Sequence, residues 1–240
     1  CCCGYPGWNM PVQRLRPRYQ KYILWGGDID PAEYSPLLKE LAGFAKIWAI
    51  DPAREGIEGF MADVKKADPN AIFTLGHSRA TAAQCRKVKK YGVKLQTHHN
   101  DSGKAPGRAQ GTMGAGCDEF ALYDPDLYAE LICDSRGIHV DPYLLRLTRK
   151  IKGDDRVILI SDAYACDGPI PEGYDDVDDI NFDHMGEIAG SKMTLDISCR
   201  NMIKHTGASL VDVFKFASYN PARAVGFFDR GEIAKGKRAD

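Results

Sequence analysis

The 240-residue chain has almost no charge bias: 32 lysines and arginines face 33 aspartates and glutamates, for a formal net charge of -1. With both signs spread along the chain, no electrostatic feature recommends a nucleic acid or an anionic membrane as partner. A small-molecule substrate is the simpler expectation. Long hydrophobic runs are missing as well. No apolar stretch approaches the roughly 18 residues that a membrane-spanning helix needs, and no charged, apolar and small-residue series opens the chain as a secretion signal would. The default location is cytoplasmic. Cysteines at paired, zinc-like spacing are also lacking. Cys85, Cys117, Cys133, Cys166 and Cys199 are scattered and read as reduced thiols packing as small hydrophobes. Cys1-Cys2-Cys3 has the softness to bind a metal, but no second pair follows it. Internal repeats and low-complexity segments are absent.

What is present is a globular composition, 44% hydrophobic, with enough apolar side chain for a sizeable core. Along it, strand-like and helix-like segments alternate. Strands are predicted over 46–51, 71–75, 93–97, 130–133 and 156–160, and helices over 56–66, 80–91, near 126–129 and near 142–150. A Gly-rich loop is expected over 102–116. Regular alternation favours a parallel sheet with right-handed crossovers, and five βα-like steps make about five of the eight strands of a TIM-type (β/α) barrel. The fold class is thus α/β, an incomplete barrel over 46–240 preceded by an irregular or helical segment over 1–45. After Asp162, an acidic, Gly- and Pro-rich stretch over 168–183 reads as a surface excursion with the makings of a lid or hairpin. Helices over 191–204 and 209–217 follow, and Pro221 opens a short one.

Short apolar runs break into polar residues at their carboxyl ends. Ala71 to Leu75 gives Gly76-His77-Ser78, Val93 to Gln96 gives Thr97-His98, and Arg156 to Ile160 gives Ser161-Asp162-Ala163. Buried parallel strands deliver reactive side chains in this way. One strand-helix-strand unit separates His77 from His98, so they can sit on adjacent strands about 5 Å apart and share a divalent ion such as zinc. The plainer reading is that each histidine caps its strand and bonds to backbone. Asp162 has the position and chemistry to take a proton from a metal-activated water and pass it to a departing nitrogen. Its plainer role is a helix N-cap or ion-pair partner.

These stretches, together with Asp134 to Val140, Ile188 to Leu195, Asn220-Pro221-Ala222 and Gly236 to Asp240, resemble the N-acetylglucosamine-6-phosphate deacetylase family of the amidohydrolase superfamily. They occur in the family's order over roughly three quarters of the chain. The resemblance implies that His77 and His98 bind the metal, with zinc the first choice and iron or another divalent ion as alternatives. It implies that Asp162 activates water and protonates the leaving amine. It places Gly137, Ile138 and His139 against the sugar phosphate and Ala189 in the segment lining the substrate site. Arg108 lies near the family's phosphate-binding arginine, often supplied across a dimer interface, which suggests a homodimer. An arginine fork suits a phosphate because it donates bidentate bonds.

Three departures accompany the resemblance. Where the family has a metal-binding Glu directly after Pro, this chain has Pro52-Ala53, so Glu55, two residues further on, is the candidate third ligand, with Asp51 or water as alternatives. Asp101 and Ser102 stand where the family's Asn-Ala backbone contacts phosphate, and a carboxylate is a poor companion for a dianion. The family's first barrel strands and flanking β-sandwich have no counterpart, so the chain is expected to be part of a longer protein. The function implied is metal-dependent removal of the N-acetyl group of an amino sugar, N-acetylglucosamine 6-phosphate first. The alternatives are another N-acyl or cyclic amide substrate, or a catalytically silent sugar binder.

Overall fold

The computed structural model describes residues 29–101, 113–164 and 168–238. The order is α1 (Pro31–Leu41), β1 (Ile47–Ile50), α2 (Ile57–Ala67), β2 (Ile72–Leu75), α3 (Ala82–Lys89), β3 (Val93–Gln96), α4 (Cys117–Tyr123), β4 (Tyr128–Ile132), α5 (Pro142–Lys152) and β5 (Val157–Ile160). Then come β6 (Ile180–Phe182), β7 (Ile188–Ser191), α6 (Leu195–Thr206), α7 (Leu210–Phe214), a π-helical turn (Lys215–Tyr219) and α8 (Asn220–Ala224). Strands β1 to β5 form one all-parallel sheet in sequence order, with Ile50 level with Leu75, Leu75 with Gln96, and Ile132 with Ile160. Sequence-order parallel strands with a helix between neighbours make a partial TIM-type barrel, and they put every strand's carboxyl end at one rim.

The helices form where the apolar spacing gives them a face to bury. Ile57, Phe60, Met61 and Val64 of α2 recur at helical spacing and pack with Trp48, Ile50, Phe73 and Leu75 of the sheet. Thr81 and Gln84 form a capping box that starts α3, and Asp141 caps α5, where Pro142 takes a first-turn position. A second outer cluster gathers Leu131, Leu145, Val157, Leu159, Met202 and Phe216. On the opposite, inner face lie Ile72, Leu95, Tyr128, Ile158 and Ile160, joined by Ala224. The N-terminal helix α1 shares the core, since Tyr34 packs edge-on against Phe60 at 5.0 Å.

Two predicted elements are corrected. The helix expected near 126–129 is instead a turn leading into β4, and the helix of this βα step is α4, which begins directly after the expected 102–116 loop. The Asp124 carboxylate accepts the Asp126 N–H at 3.0 Å, closing an Asx turn, and Ala129 is drawn into the sheet against Val157. The Glu119 carboxylate holds the Gly116 N–H at 2.7 Å and so starts α4. The helix expected from 191 begins at Leu195, because Ile188–Ser191 pairs antiparallel with Ile180–Phe182. That hairpin ends the acidic excursion, whose Val177, Ile180 and Phe182 pack with Ile138 and Tyr174.

Candidate active site at the carboxyl rim

Four consecutive strands place a titratable side chain two residues beyond their last residue: His77 after β2, His98 after β3, Asp134 after β4 and Asp162 after β5. Among the described residues, four non-glycine residues have positive φ: His77 (43°), His98 (30°), Asn100 (67°) and Asp162 (45°). Three of them are the residues expected to carry the chemistry, so backbone strain gathers where the function was placed. The close approach of β2 and β3 leaves no room beneath: a Cβ on Gly76 would meet Thr97 Cβ at 3.2 Å, and the Thr74 and Thr97 hydroxyls bond at 2.7 Å.

The His77 and His98 rings meet edge to face with centroids 4.4 Å apart. Burial, and then the neighbouring His98 ring, push the His77 imidazole down to about 4 against the pull of Asp162. His98 is likewise pushed to about 4, chiefly by burial, with His139 adding to the effect. Both rings are therefore neutral at neutral pH, the state in which imidazole binds a metal. Nδ1 of His77 is buried with no hydrogen-bond partner in the structure. A buried ring nitrogen without a hydrogen-bond partner can offer a lone pair to a metal, so His77, with its ring against His98, fits a divalent ion.

The other ligand candidates do not join them. Glu55 is exposed, and Asp51 is occupied: its Oδ1 accepts the Ser78 hydroxyl and, at 2.9 Å, the Ala53 N–H. Among the described residues no group of three or more His, Cys, Asp or Glu side chains stands placed to hold an ion. Asp101 approaches His98 instead, Oδ2 to Nδ1 at 3.4 Å, and burial, with Asp162 and other nearby carboxylates adding, pushes it up to about 6 despite His139.

Asp162 is seated by the β7 segment. Its carbonyl accepts the Ser191 N–H at 3.0 Å, and the Ser191 hydroxyl donates to the Ser161 carbonyl. Gly190, at φ 68°, lies so close that a Cβ there would stand 2.3 Å from the Asp162 carbonyl oxygen. Ala189 beside it is buried, so the predicted lining segment and the predicted proton carrier are in contact through backbone. Ser102 and Arg108 lie outside the described residues.

The loop after β4 wraps around the Asp134 side chain, and Gly137, Ile138 and His139 belong to that wrap. Gly137 turns the loop at φ 71°, with Pro142 Cδ only 2.4 Å from where a Cβ would be. The Ile138 N–H donates to Asp134 rather than outward. Asp101 and Asp162 lie within electrostatic reach of His139 and act on its charge. Arg136, in the same loop, turns to Asp176 at 3.0 Å and the Gly173 carbonyl at 3.1 Å.

Sequence reasoning singled out neither Asp134 nor Glu130. Glu130, in the middle of β4, is pushed up to about 7 by burial and by Asp162. Each had a signal: Asp134 repeats the two-residue offset of its neighbours, and Glu130 is a lone carboxylate inside Tyr-Ala-Glu-Leu-Ile.

Residues 53–240 match the amidohydrolase family. The chain is 30% identical over 205 residues to an N-acetylglucosamine-6-phosphate deacetylase of Lysinibacillus sphaericus, covering 81% of this chain and 51% of that protein. It is 29% identical over 222 residues to an N-acetylgalactosamine-6-phosphate deacetylase of Escherichia coli O157:H7, covering 88% and 56%. Among solved structures, the N-acetylglucosamine-6-phosphate deacetylase of Thermotoga maritima superposes with a TM-score of 0.72 at 28% identity, covering 89% of this chain and 57% of that one. The chain spans about half the length of the curated relatives it matches.

Proposed function

The chain belongs to the amidohydrolase family, and on that premise we propose that its rim site serves to remove the N-acetyl group of an amino sugar. The first substrate is N-acetylglucosamine 6-phosphate, and the products are glucosamine 6-phosphate and acetate. The observation that carries this reading is the convergence of His77, His98 and Asp162 on one rim, all three on left-handed backbone. A divalent ion at His77 and His98, zinc first with iron or another divalent ion as alternatives, supplies Lewis-acid polarisation of the amide carbonyl. Asp162 accepts a proton from the attacking water and returns it to the amine nitrogen as the C–N bond breaks. His139 and the Ala189 segment hold the sugar, with Gly137 and Ile138 shaping the loop that presents His139; Ser102 and Arg108 complete the phosphate side. Glu55, exposed in the structure, is the proposed third ligand and would have to rotate in from solvent to hold the ion, with water as the alternative.

The reading extends to a cytoplasmic enzyme, a homodimer sharing Arg108, and a barrel domain over 46–240. Among the described residues, no helix is long and apolar enough to cross a membrane. One observation favours a second reading, an amidohydrolase of another N-acyl or cyclic amide: the Asp101 carboxylate stands beside His98, where it repels a phosphate dianion. Acetate release from N-acetylglucosamine and N-acetylgalactosamine, each with and without the 6-phosphate, separates the two. Preference for the phosphorylated glucosamine derivative, with a fall of roughly 10²-fold or more in kcat for Asp162→Asn, supports the first. Turnover of a non-sugar amide alone supports the second, and sugar binding without turnover, unchanged by Asp162→Asn, means a silent binder.

A further inference from the structure

The end of β4 carries a side chain to which neither the sequence nor the proposed reaction gives a role. Asp134 is fully buried, and its carboxylate is saturated by its own loop. Oδ1 accepts the N–H groups of Arg136 at 3.1 Å and Ile138 at 2.8 Å, and Oδ2 accepts the His139 N–H at 2.8 Å. Oδ2 also faces Nδ1 of the His139 ring at 3.1 Å. The His139 side chain is 1% exposed, and its second ring nitrogen, Nε2, is buried with no hydrogen-bond partner in the structure.

An ionised carboxylate only accepts hydrogen bonds, so the nitrogen it faces must carry a proton. The same contact stops the ring from turning over. We propose that Asp134 is the positioning residue of this site: it fixes the His139 ring with a proton on Nδ1 and aims Nε2 at the bound sugar. The surrounding structure holds the aim from both sides. The Asp134 carbonyl faces His205 Nε2 at 2.9 Å, and Asn201 donates to the Cys133 carbonyl at 3.0 Å, so α6 anchors the strand end. Asp179, at the start of the β6–β7 hairpin, accepts the Ser135 N–H at 2.6 Å and its hydroxyl at 2.9 Å.

The electrostatics favour a charged ring. Burial pushes His139 down, but the bond to Asp134 and the charges of Asp101, Asp134 and Asp162 outweigh it and hold the ring above the ordinary histidine value. The nearby His98 is neutral and does not oppose them. Burial alone would raise Asp134; the bonds from the His139 ring and from the loop N–H groups bring it down to about 2. Each partner thus favours the charged form of the other.

The identity of the bound sugar rests on the deacetylase reading; the state of the ring does not, and the test separates the two. Long-range ¹H–¹⁵N spectra of the ¹⁵N-labelled chain read the protonation of each histidine nitrogen without any substrate. The expected wild-type result is a proton on Nδ1 of His139 throughout, with the ring titrating above 6.5. In Asp134→Asn the Nδ1 proton is lost at neutral pH and the titration falls to 6.5 or below. A bare Nδ1 in the wild type overturns the proposal, as does Asp134→Asn with an unchanged ring. If that variant does not fold, the wild-type titration decides alone. With N-acetylglucosamine 6-phosphate, Asp134→Asn is expected to raise KM by roughly 10- to 100-fold, with a smaller effect on kcat. Absence of turnover in the wild type counts against the deacetylase reading and leaves the ring assignment standing.

Discussion

His77, His98 and Asp162 sit on backbone that side chains with a Cβ avoid, at a cost of about 1–2 kcal/mol each. They persist there because neighbours leave no alternative. The Ser191 N–H pins the Asp162 carbonyl, and Gly190 is the only residue type that fits against it. Gly190→Ala is therefore expected to displace Asp162, lowering stability by about 1–3 kcal/mol and acetate release more than stability alone explains; a thermal melt beside a rate assay checks both. The three residues were legible because each breaks an apolar run at the same point. Asp134 breaks one too, but Asp134-Ser135-Arg136 reads equally as a polar turn, and only coordinates show its carboxylate closed upon by its own loop. Ligand completeness was not legible either: Asp51 is closer in sequence to the end of β1 than Glu55, but its engagement with Ser78 depends on the packing of β1 against β2.

The strands were readable as elements because buried parallel strands are short, apolar and β-branched, and α2, α3 and α5 because their apolar residues recur at helical spacing. Helix α4 was not. Its seven residues, Cys117–Tyr123, are too few to show a period, and the glycine-rich stretch before it suggests loop. Its carboxyl end is completed from α5. Lys152, buried, donates from Nζ to the Ala121 carbonyl at 2.9 Å and to the Asp124 carbonyl, and burial pushes it down to about 8. Replacing it by methionine keeps the apolar stem but leaves two carbonyls without that partner. Lys152→Met is expected to lower unfolding free energy by about 1–3 kcal/mol, read by urea titration, with metal affinity unchanged because α4 and α5 lie outside the sheet. An unaltered midpoint would mean that water replaces the lysine.

At the scale of the molecule, the sequence showed the architecture more clearly than the chemistry. Alternation alone predicts a parallel sheet, and five strands in sequence order follow from right-handed crossovers. The hairpin of β6 and β7 was harder to see, because its register is set by contact with Asp162 and Ala163 rather than by its own pattern. The outer face of the sheet is packed under helices, whereas Ile47 of β1 remains 42% exposed, so the strands' cover is uneven, and at the rim four strands end in titratable side chains. The central claim is that His77 and His98 form a cation site on that rim. Calorimetric titration of the metal-free chain with zinc tests it directly: about one ion per chain is expected, with His77→Ala and His98→Ala each abolishing or greatly weakening binding. Zinc bound equally well by both variants, or by none of the three proteins, would contradict it.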